Sequence, residues 1–384
     1  MNFTFYQPSK IHFGPGKLNE IGQIAKVYGT KCLLITTINE APLDSLYTRV
    51  INLLSKDGIG VIHYDGVTPN PSTEVIEKGF LLAKEHNVDF VLAVGGGSSI
   101  DTAKVVALTY GLKKIDWNHI FENYTNPFGN YKPLSNQGLP LIAVSTTSGT
   151  GSQVTQAAVI SEGNNKNTIF HPNNFSDECI VDPELMTTLP PRLTAATGFD
   201  AFCHAFESYI NPRASYFTEY QSLNAIELIK ENLPKALKDG SNIDYRTNLA
   251  LADTLAGTCL ANAGAAAPHP LSEIIGGVAH ISHGEALAIV FPAFMKHEYK
   301  NNIAKFAKVA RIFNPSLNNV SDEKAAENSS DAIVDFLKKI NLSVTLKDFN
   351  VSEEQFNEII NCPILNFLPF GSKEDLQNII KESY

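Results

Sequence analysis

Cysteine is scarce in this chain and follows no pairing pattern. The five cysteines among 384 residues, Cys32, Cys179, Cys203, Cys259 and Cys362, are odd in number and widely scattered, which excludes a disulfide framework or a zinc knuckle. They are expected to be buried thiols. Long apolar runs are also missing: the longest stretch, at 286–295, is broken by Pro292 and falls short of the ~20 residues a membrane-spanning helix needs. No membrane partner is expected. Residues 1–16 contain Lys10 but neither the basic head nor the apolar core of a secretion signal, so a cytoplasmic location is expected. Positive charge is in deficit, with 30 Lys and Arg against 40 Asp and Glu and a net charge of -10. That balance offers no basic field to a polyanion and argues against nucleic acid as a partner. No internal repeat is present.

What remains is an ordinary globular composition, 43% hydrophobic and 18% charged. A chain of this length exceeds one small core, and two domains are expected. In the first half, β-branched apolar runs at 32–37, 60–64, 90–94 and 141–144 alternate with helical patterns such as Leu18, Ile21, Ala25, Tyr28 and Val75, Gly79, Leu82, Ala83. Continuous apolar strands separated by amphipathic helices predict a parallel sheet covered by helices. Beyond Pro190 the texture changes to long helical patterns, at 218–237, 245–267 and 303–313, with no convincing strand. The expected architecture is an α/β domain over 1–188 and an all-α domain over 189–384, with Asp182-Pro183 and Pro190-Pro191 punctuating the change.

The strand at 90–94 runs into Gly95-Gly-Gly-Ser-Ser-Ile-Asp-Thr-Ala-Lys104, whose last residues open a helix. Strand, glycine turn and helix together form an anion site, because converging N–H groups and the helix dipole favour a phosphate. The plain alternative is a tight turn that needs glycine for its dihedrals. A second small-residue turn, Thr146-Thr-Ser-Gly-Thr-Gly-Ser152, follows the strand at 141–145. Two such turns at strand ends suit a dinucleotide. The G-x-G-x-x-G fingerprint is absent, and Thr36 and Thr37 end the first strand where an acidic residue would bind a free ribose 2′-hydroxyl. NAD and NADP are both admitted, with a lean to NADP.

Asp200 and His204 stand four residues apart in a helical pattern, so both face one side. His269, His280 and His283 cluster within fifteen residues, among small and apolar neighbours. Such histidines are either hydrogen-bonded core residues or ligands, and one of the three is free to be structural. One carboxylate and three neutral imidazoles suit Fe(II) or Zn(II) and leave a position open for a substrate oxygen.

Taken in order, these segments resemble the iron-containing (group III) alcohol dehydrogenase family. The resemblance runs from Phe13-Gly-Pro-Gly16 to about Met295 and includes Pro69-Asn-Pro-Ser72, both small-residue turns, the segment 197–207 and His283-Gly284. It implies a dinucleotide-binding α/β domain and a helical domain, with the metal in the cleft between them, and a homodimer. Family ligands are an Asp with a His four later, then two His fourteen apart, which implies Asp200, His204, His269 and His283 and passes over His280. Carried over in the same way, Gly96, Gly97 and Ser98 meet the pyrophosphate. Thr146, Thr147 and Thr150 lie near adenine and ribose and Lys166 near the nicotinamide ribose, with Asp101 and Thr37 completing the cofactor set. Glu273 replaces a second histidine common among relatives, Gln153 replaces a common glutamate, and the tail after Pro315 departs from the usual ending.

The reaction this implies is hydride transfer between NAD(P)(H) and a small alcohol or aldehyde, with the metal as Lewis acid on the substrate oxygen. His280 is the candidate proton relay and Glu273 a candidate second carboxylate that orients a ligand. Two rival readings stand beside it. One is a metal- and NAD-dependent cyclase or lyase of the dehydroquinate synthase kind, which would want cationic side chains for a phosphorylated substrate; few lie between Asp200 and His283, and none inside a ligand motif. The other is a nucleotide-binding protein without chemistry.

Overall fold

The four apolar runs become four adjacent strands of one parallel sheet. A computed structural model describes residues 2–134, 138–163 and 165–384. Its strands are β1 (Lys10–Phe13), β2 (Lys31–Thr37), β3 (Gly60–Val67), β4 (Phe90–Gly95), β5 (Leu141–Ser145), β6 (Ala157–Glu162), β7 (Asn165–Phe170) and β8 (Glu178–Val181). Six of them form a sheet in the order β1-β8-β5-β4-β2-β3, every neighbouring pair parallel; β6 and β7 form a separate antiparallel hairpin. All residues of β4 and β5 are buried, as strands covered on both faces must be.

Alternation along each strand divides the core in two. Leu33, Ile35, Val91, Ala93 and Ala143 pack in one cluster with Ile76 and Ala83 of α2 (Thr73–His86) and Ile100, Ala103 and Val106 of α3 (Gly97–Thr109). Leu34, Leu92, Val94, Ile142 and Val144 pack in the other with Ile21, Val50 and Leu54, the last two on α1 (Asp44–Lys56). Each fully buried Leu, Ile or Val in these layers contributes about 1.5–3 kcal/mol. α1, β1, β8 and the hairpin are additions to the elements expected from the sequence. β1 is short and lies at the sheet edge against β8, and Asp182, just after β8, accepts the N–H groups of Gly16 and Leu18 at 3.1 and 3.0 Å.

Two units separate in the chain. One comprises Thr4–Leu189 with Ser241–Ala250; the other comprises Pro190–Gly240 and Leu251–Tyr384 with the first residues. Ser241–Ala250 belongs with the sheet because Ala250 joins its core and Arg246 donates to the Leu189 carbonyl at 3.3 Å. The second unit is helical: α4 (Pro191–Ile210), α5 (Tyr216–Ala236), α6 (Ile243–Ala263, its first turns in the sheet unit), α7 (Pro268–Ala279), α8 (His283–Glu298) and α9 (Ile303–Phe313), with further helices to the C-terminus. Pro191 opens α4 at a position where its missing N–H costs nothing.

The helix α4 is buried on nearly all sides, and Phe199, Phe202 and Phe206 lie 5.3–5.6 Å from Phe291 of α8, ring centre to ring centre. The apolar stretch at 286–295 is thus a core helix. No helix among the described residues is long and apolar enough to cross a membrane. One expectation needs correction: four cysteines are buried, but Cys362 is only half-buried, beside an exposed turn near the C-terminus.

Candidate functional site

Three helices bring the metal-type residues together inside the helical unit. α4 places Asp200 and His204 on one face, α7 carries His269 in its first turn, and α8 begins at His283. The Nε2 atoms of His204, His269 and His283 stand 3.7, 3.5 and 3.6 Å from the single oxygen Asp200 Oδ1. Ligand atoms of Asp200, His269 and His283 all lie within 4.8 Å of one another. His204 stands outside that trio and stacks on His269, with ring centres 4.4 Å apart.

Asp200 Oδ1 and His269 Nε2 are buried, and neither makes a hydrogen bond. Leaving a carboxylate oxygen and an imidazole nitrogen so exposed to low dielectric costs several kcal/mol unless a cation is shared between them. Spacings of 3.5–3.7 Å are close to the ~3.4 Å separating two ligands that each lie about 2.1 Å from a tetrahedral ion. The donor set therefore fits a divalent metal. The electrostatics point the same way. Burial pushes the His269 imidazole toward neutrality, but Glu207 and Asp200 outweigh it and raise its pKa to about 10. Burial likewise pushes Asp200 up, and the facing histidines overcome this to hold it below the usual carboxylate value. The cage draws positive charge.

Beyond these atoms the rings are held in place. His269 Nδ1 lies 2.7 Å from Glu207 Oε1, and Glu207 Oε2 accepts the Ala266 N–H at 2.6 Å. A proton on Nδ1 leaves the Nε2 lone pair facing Asp200. Ser272 Oγ donates to the His269 carbonyl and sits 3.2 Å from His283 Nδ1. Glu285 binds Arg192 of α4 and the N-cap Ser282, tying together the two helix starts. Glu207 and Ser272 were not picked out from the sequence. The available signal was helical spacing, since Glu207 falls three residues after His204 and on the same face.

Gly284 is required by packing, because a Cβ there would meet the Ala196 carbonyl oxygen at 2.3 Å. His280 is exposed and caps α7 in the left-handed conformation, φ 55° and ψ 30°, which rules out the alternative of a core histidine. Glu273, half-buried, lies one turn after His269 on α7.

In the sheet unit both small-residue turns sit where the sequence places them, after β4 and after β5. Gly96 caps α3, whose first N–H groups have no partner within the helix. The turns touch: a Cβ on Gly97 would lie 2.9 Å from Thr150 Cγ2, and one on Gly96 would lie 3.1 Å from Thr147 Cγ2. Thr147 Oγ1 is buried without a hydrogen bond. Small residues, a free helix N-terminus and an unused buried hydroxyl fit a phosphate-bearing ligand. Ser98 is in the first turn of α3, and Thr146 donates its N–H to the Gly95 carbonyl. Asp101 is engaged within the protein, by Ser152 Oγ at 2.6 Å and the Val159 N–H at 2.9 Å. Thr37, ending β2, hydrogen-bonds Tyr47 Oη at 2.7 Å, and Lys166 is half-buried on β7, opposite Ser161.

A parallel-sheet unit with two phosphate-type turns and a helical unit with a buried Asp–His cage define a class of protein, the nucleotide-dependent metalloenzymes. Sequence comparison narrows the class. The model of the iron-containing alcohol dehydrogenases matches residues 8–183, and that of the C-terminal domain of the same family matches 194–384. The chain belongs to the iron-containing alcohol dehydrogenase family, and is an oxidoreductase acting on CH–OH groups. The match continues through the tail beyond Pro315.

Among relatives, the long-chain-alcohol dehydrogenase 1 of Geobacillus thermodenitrificans is 33% identical over 352 residues, 92% of this chain and 88% of its own length. The NADPH-dependent butanol dehydrogenase of Clostridium saccharobutylicum is 32% identical over 94% of this chain and 90% of its own. The solved alcohol dehydrogenase from Oenococcus oeni superposes with a TM-score of 0.91 at 31% identity, each chain covered in full. Nothing in these relatives favours the cyclase reading.

Proposed function

We propose that Asp200, His204, His269 and His283 hold one Fe(II), with Zn(II) able to replace it, and that the protein interconverts small aliphatic alcohols and aldehydes with NADP(H) in preference to NAD(H). The observation that carries this reading is the buried, unbonded Asp200 Oδ1 faced by three imidazole Nε2 atoms. When bound, the metal supplies Lewis acidity toward the substrate oxygen and the nicotinamide supplies or accepts hydride. The chain's own residues do the rest. Glu207 fixes the His269 tautomer, and Ser272 supports His269 and His283. Glu273 is proposed as a further positioning carboxylate. His280, exposed after α7, is proposed to exchange the alcohol proton with solvent.

Gly96, Gly97 and Ser98 are proposed to receive the pyrophosphate, Thr146, Thr147 and Thr150 the adenosine side, and Lys166 the nicotinamide ribose. Thr37 supports NADP: it ends β2 with a hydroxyl committed to Tyr47 rather than a carboxylate that would repel a 2′-phosphate. The butanol dehydrogenase relative, described as NADPH-dependent, and the aliphatic alcohols in the relatives' names support the cofactor and substrate class. A homodimer in the cytoplasm completes the reading.

The test is NAD(P)H oxidation with short aldehydes on metal-stripped protein restored anaerobically with Fe(II) or Zn(II). Metal-dependent turnover, lost in His269→Ala together with metal content, is expected. No turnover with either ion, or an unchanged metal content in His269→Ala, overturns the assignment. An unchanged pH–rate profile in His280→Ala removes the relay role alone.

A further inference from the structure

α3 carries, one turn apart, a buried carboxylate and a lysine with no exposed surface, neither of which the proposed chemistry uses: Asp101 and Lys104. Asp101 Oδ1 accepts from Ser152 Oγ at 2.6 Å and Oδ2 from the Val159 N–H at 2.9 Å. Lys104 Nζ donates to the Ala157 carbonyl at 2.6 Å and to Thr155 Oγ1 at 3.2 Å, and stands 3.5 Å from Asp101 Oδ1. Two oxygens thus accept hydrogen bonds from the ammonium and a third forms its ion pair. Ser152 and Thr155 belong to the second small-residue turn and its continuation, and Ala157 and Val159 to β6. The hairpin partner β7 carries Lys166, opposite Ser161.

We propose that Asp101 and Lys104 are positioning residues that make no contact with the cofactor: they lock the first glycine turn, the second turn and the β6–β7 hairpin at the one spacing that lets a dinucleotide engage all three. This rests on the cofactor reading above. The turns are in close contact, since a Cβ on Gly97 would lie 2.9 Å from Thr150 Cγ2 and one on Gly96 3.1 Å from Thr147 Cγ2, so a small change in their spacing alters the space between them. β4 and β5 are laddered up to the two turns, but the β6–β7 hairpin is a separate sheet that pairs with neither strand. Burial lowers the Lys104 pKa to about 8, and Asp101 works against this to retain the charge. An ion pair with every partner satisfied holds a single arrangement, because any displacement strands a charge away from water.

The test compares a ligand that needs every element with one that needs only part. Binding of NADPH, NADH and AMP to the full-length, metal-loaded protein is measured by fluorescence and calorimetric titration for wild type, Asp101→Asn, and the milder Ser152→Ala. Asp101→Asn is expected to weaken dinucleotide binding about 10-fold or more, the loss of charged hydrogen bonds, while AMP affinity changes less than about twofold. Ser152→Ala shows the same split on a smaller scale, with metal content unchanged and faster amide exchange at 152–159. Equal loss for AMP and dinucleotide makes Asp101 a direct ligand or a general fold residue and overturns the proposal, as does no loss in either variant. If Asp101→Asn fails to fold, Ser152→Ala decides alone. A wild type that binds neither NADH nor NADPH overturns the cofactor reading and this inference with it; a wild type that binds while the split is absent overturns this inference only.

Discussion

Glu207 Oε1 lies 2.7 Å from His269 Nδ1, and this contact decides which nitrogen of the ring faces Asp200. The carboxylate is fully buried and its other oxygen accepts the Ala266 N–H, just before the helix that carries His269. One residue therefore sets both the tautomer and the entry of α7. Glu207→Gln is expected to lower metal affinity about 10–100-fold with helix content retained, measured by anaerobic chelator competition and circular dichroism. Unchanged affinity would show that the ring is oriented by other means.

Two glycines separate the two candidate sites. Gly284→Ala drives a Cβ to within 2.3 Å of a backbone oxygen on α4, which no rotamer relieves, so α4 and α8 must part. We expect a loss of about 1–3 kcal/mol in stability and weakened metal retention, with cofactor affinity near normal. Gly97→Ala meets only the Thr150 side chain at 2.9 Å and is expected to raise the cofactor KM while leaving metal content and melting temperature near wild type. A reversed pattern would misplace both sites.

Cofactor choice is testable at the end of β2. Thr37→Asp keeps an acceptor for Tyr47 Oη and adds a charge facing the expected 2′-phosphate position. The ratio of kcat/KM for NADPH over NADH is expected to fall about 10-fold or more. A constant ratio would detach Thr37 from the ribose.

The acid stability of the sheet edge follows from Glu178. Burial raises its carboxyl pKa, but hydrogen bonds from His12 and Tyr28 and the Lys10 ammonium outweigh this and leave it below the usual glutamate value. A depressed folded pKa stabilises the protein above the unfolded value of about 4.3, and that contribution disappears as pH falls through the folded value. Glu178→Gln should therefore melt lower than wild type at pH 7, by about 1 kcal/mol in stability, with the difference closing below pH ~4. Equal melting at pH 7 would remove the contribution.

The middle of the sheet was readable because β4 and β5 are apolar at nearly every position over runs of only five or six residues, the length and pattern of a strand buried on both faces. Residues 303–313 were readable as a helix because their apolar residues repeat on one face. β1 and the hairpin were not, since Lys-Ile-His-Phe and Asn-Lys-Asn-Thr-Ile-Phe carry no such pattern and acquire their conformation from partner strands. The helical pattern at 245–267 read as one element of the helical domain, and only the partners of Arg246 and Ala250 draw the first turns of that helix to the sheet unit.

At the site, spacing along the chain determined which residues had the right chemistry: a carboxylate and an imidazole one helical turn apart, two further histidines, and glycine turns following apolar strands. Tertiary structure decided which of them converge. His280 and His283 are three residues apart, yet one caps α7 in solvent while the other opens α8 against Asp200. Asp101 reads as a turn residue within reach of a nucleotide, yet both its oxygens face Ser152 and Val159, more than fifty residues away. Local sequence sets helix faces and turn dihedrals because those depend on near neighbours; the orientation of a ring or carboxylate depends on hydrogen bonds from distant segments, and those exist only after the chain has packed.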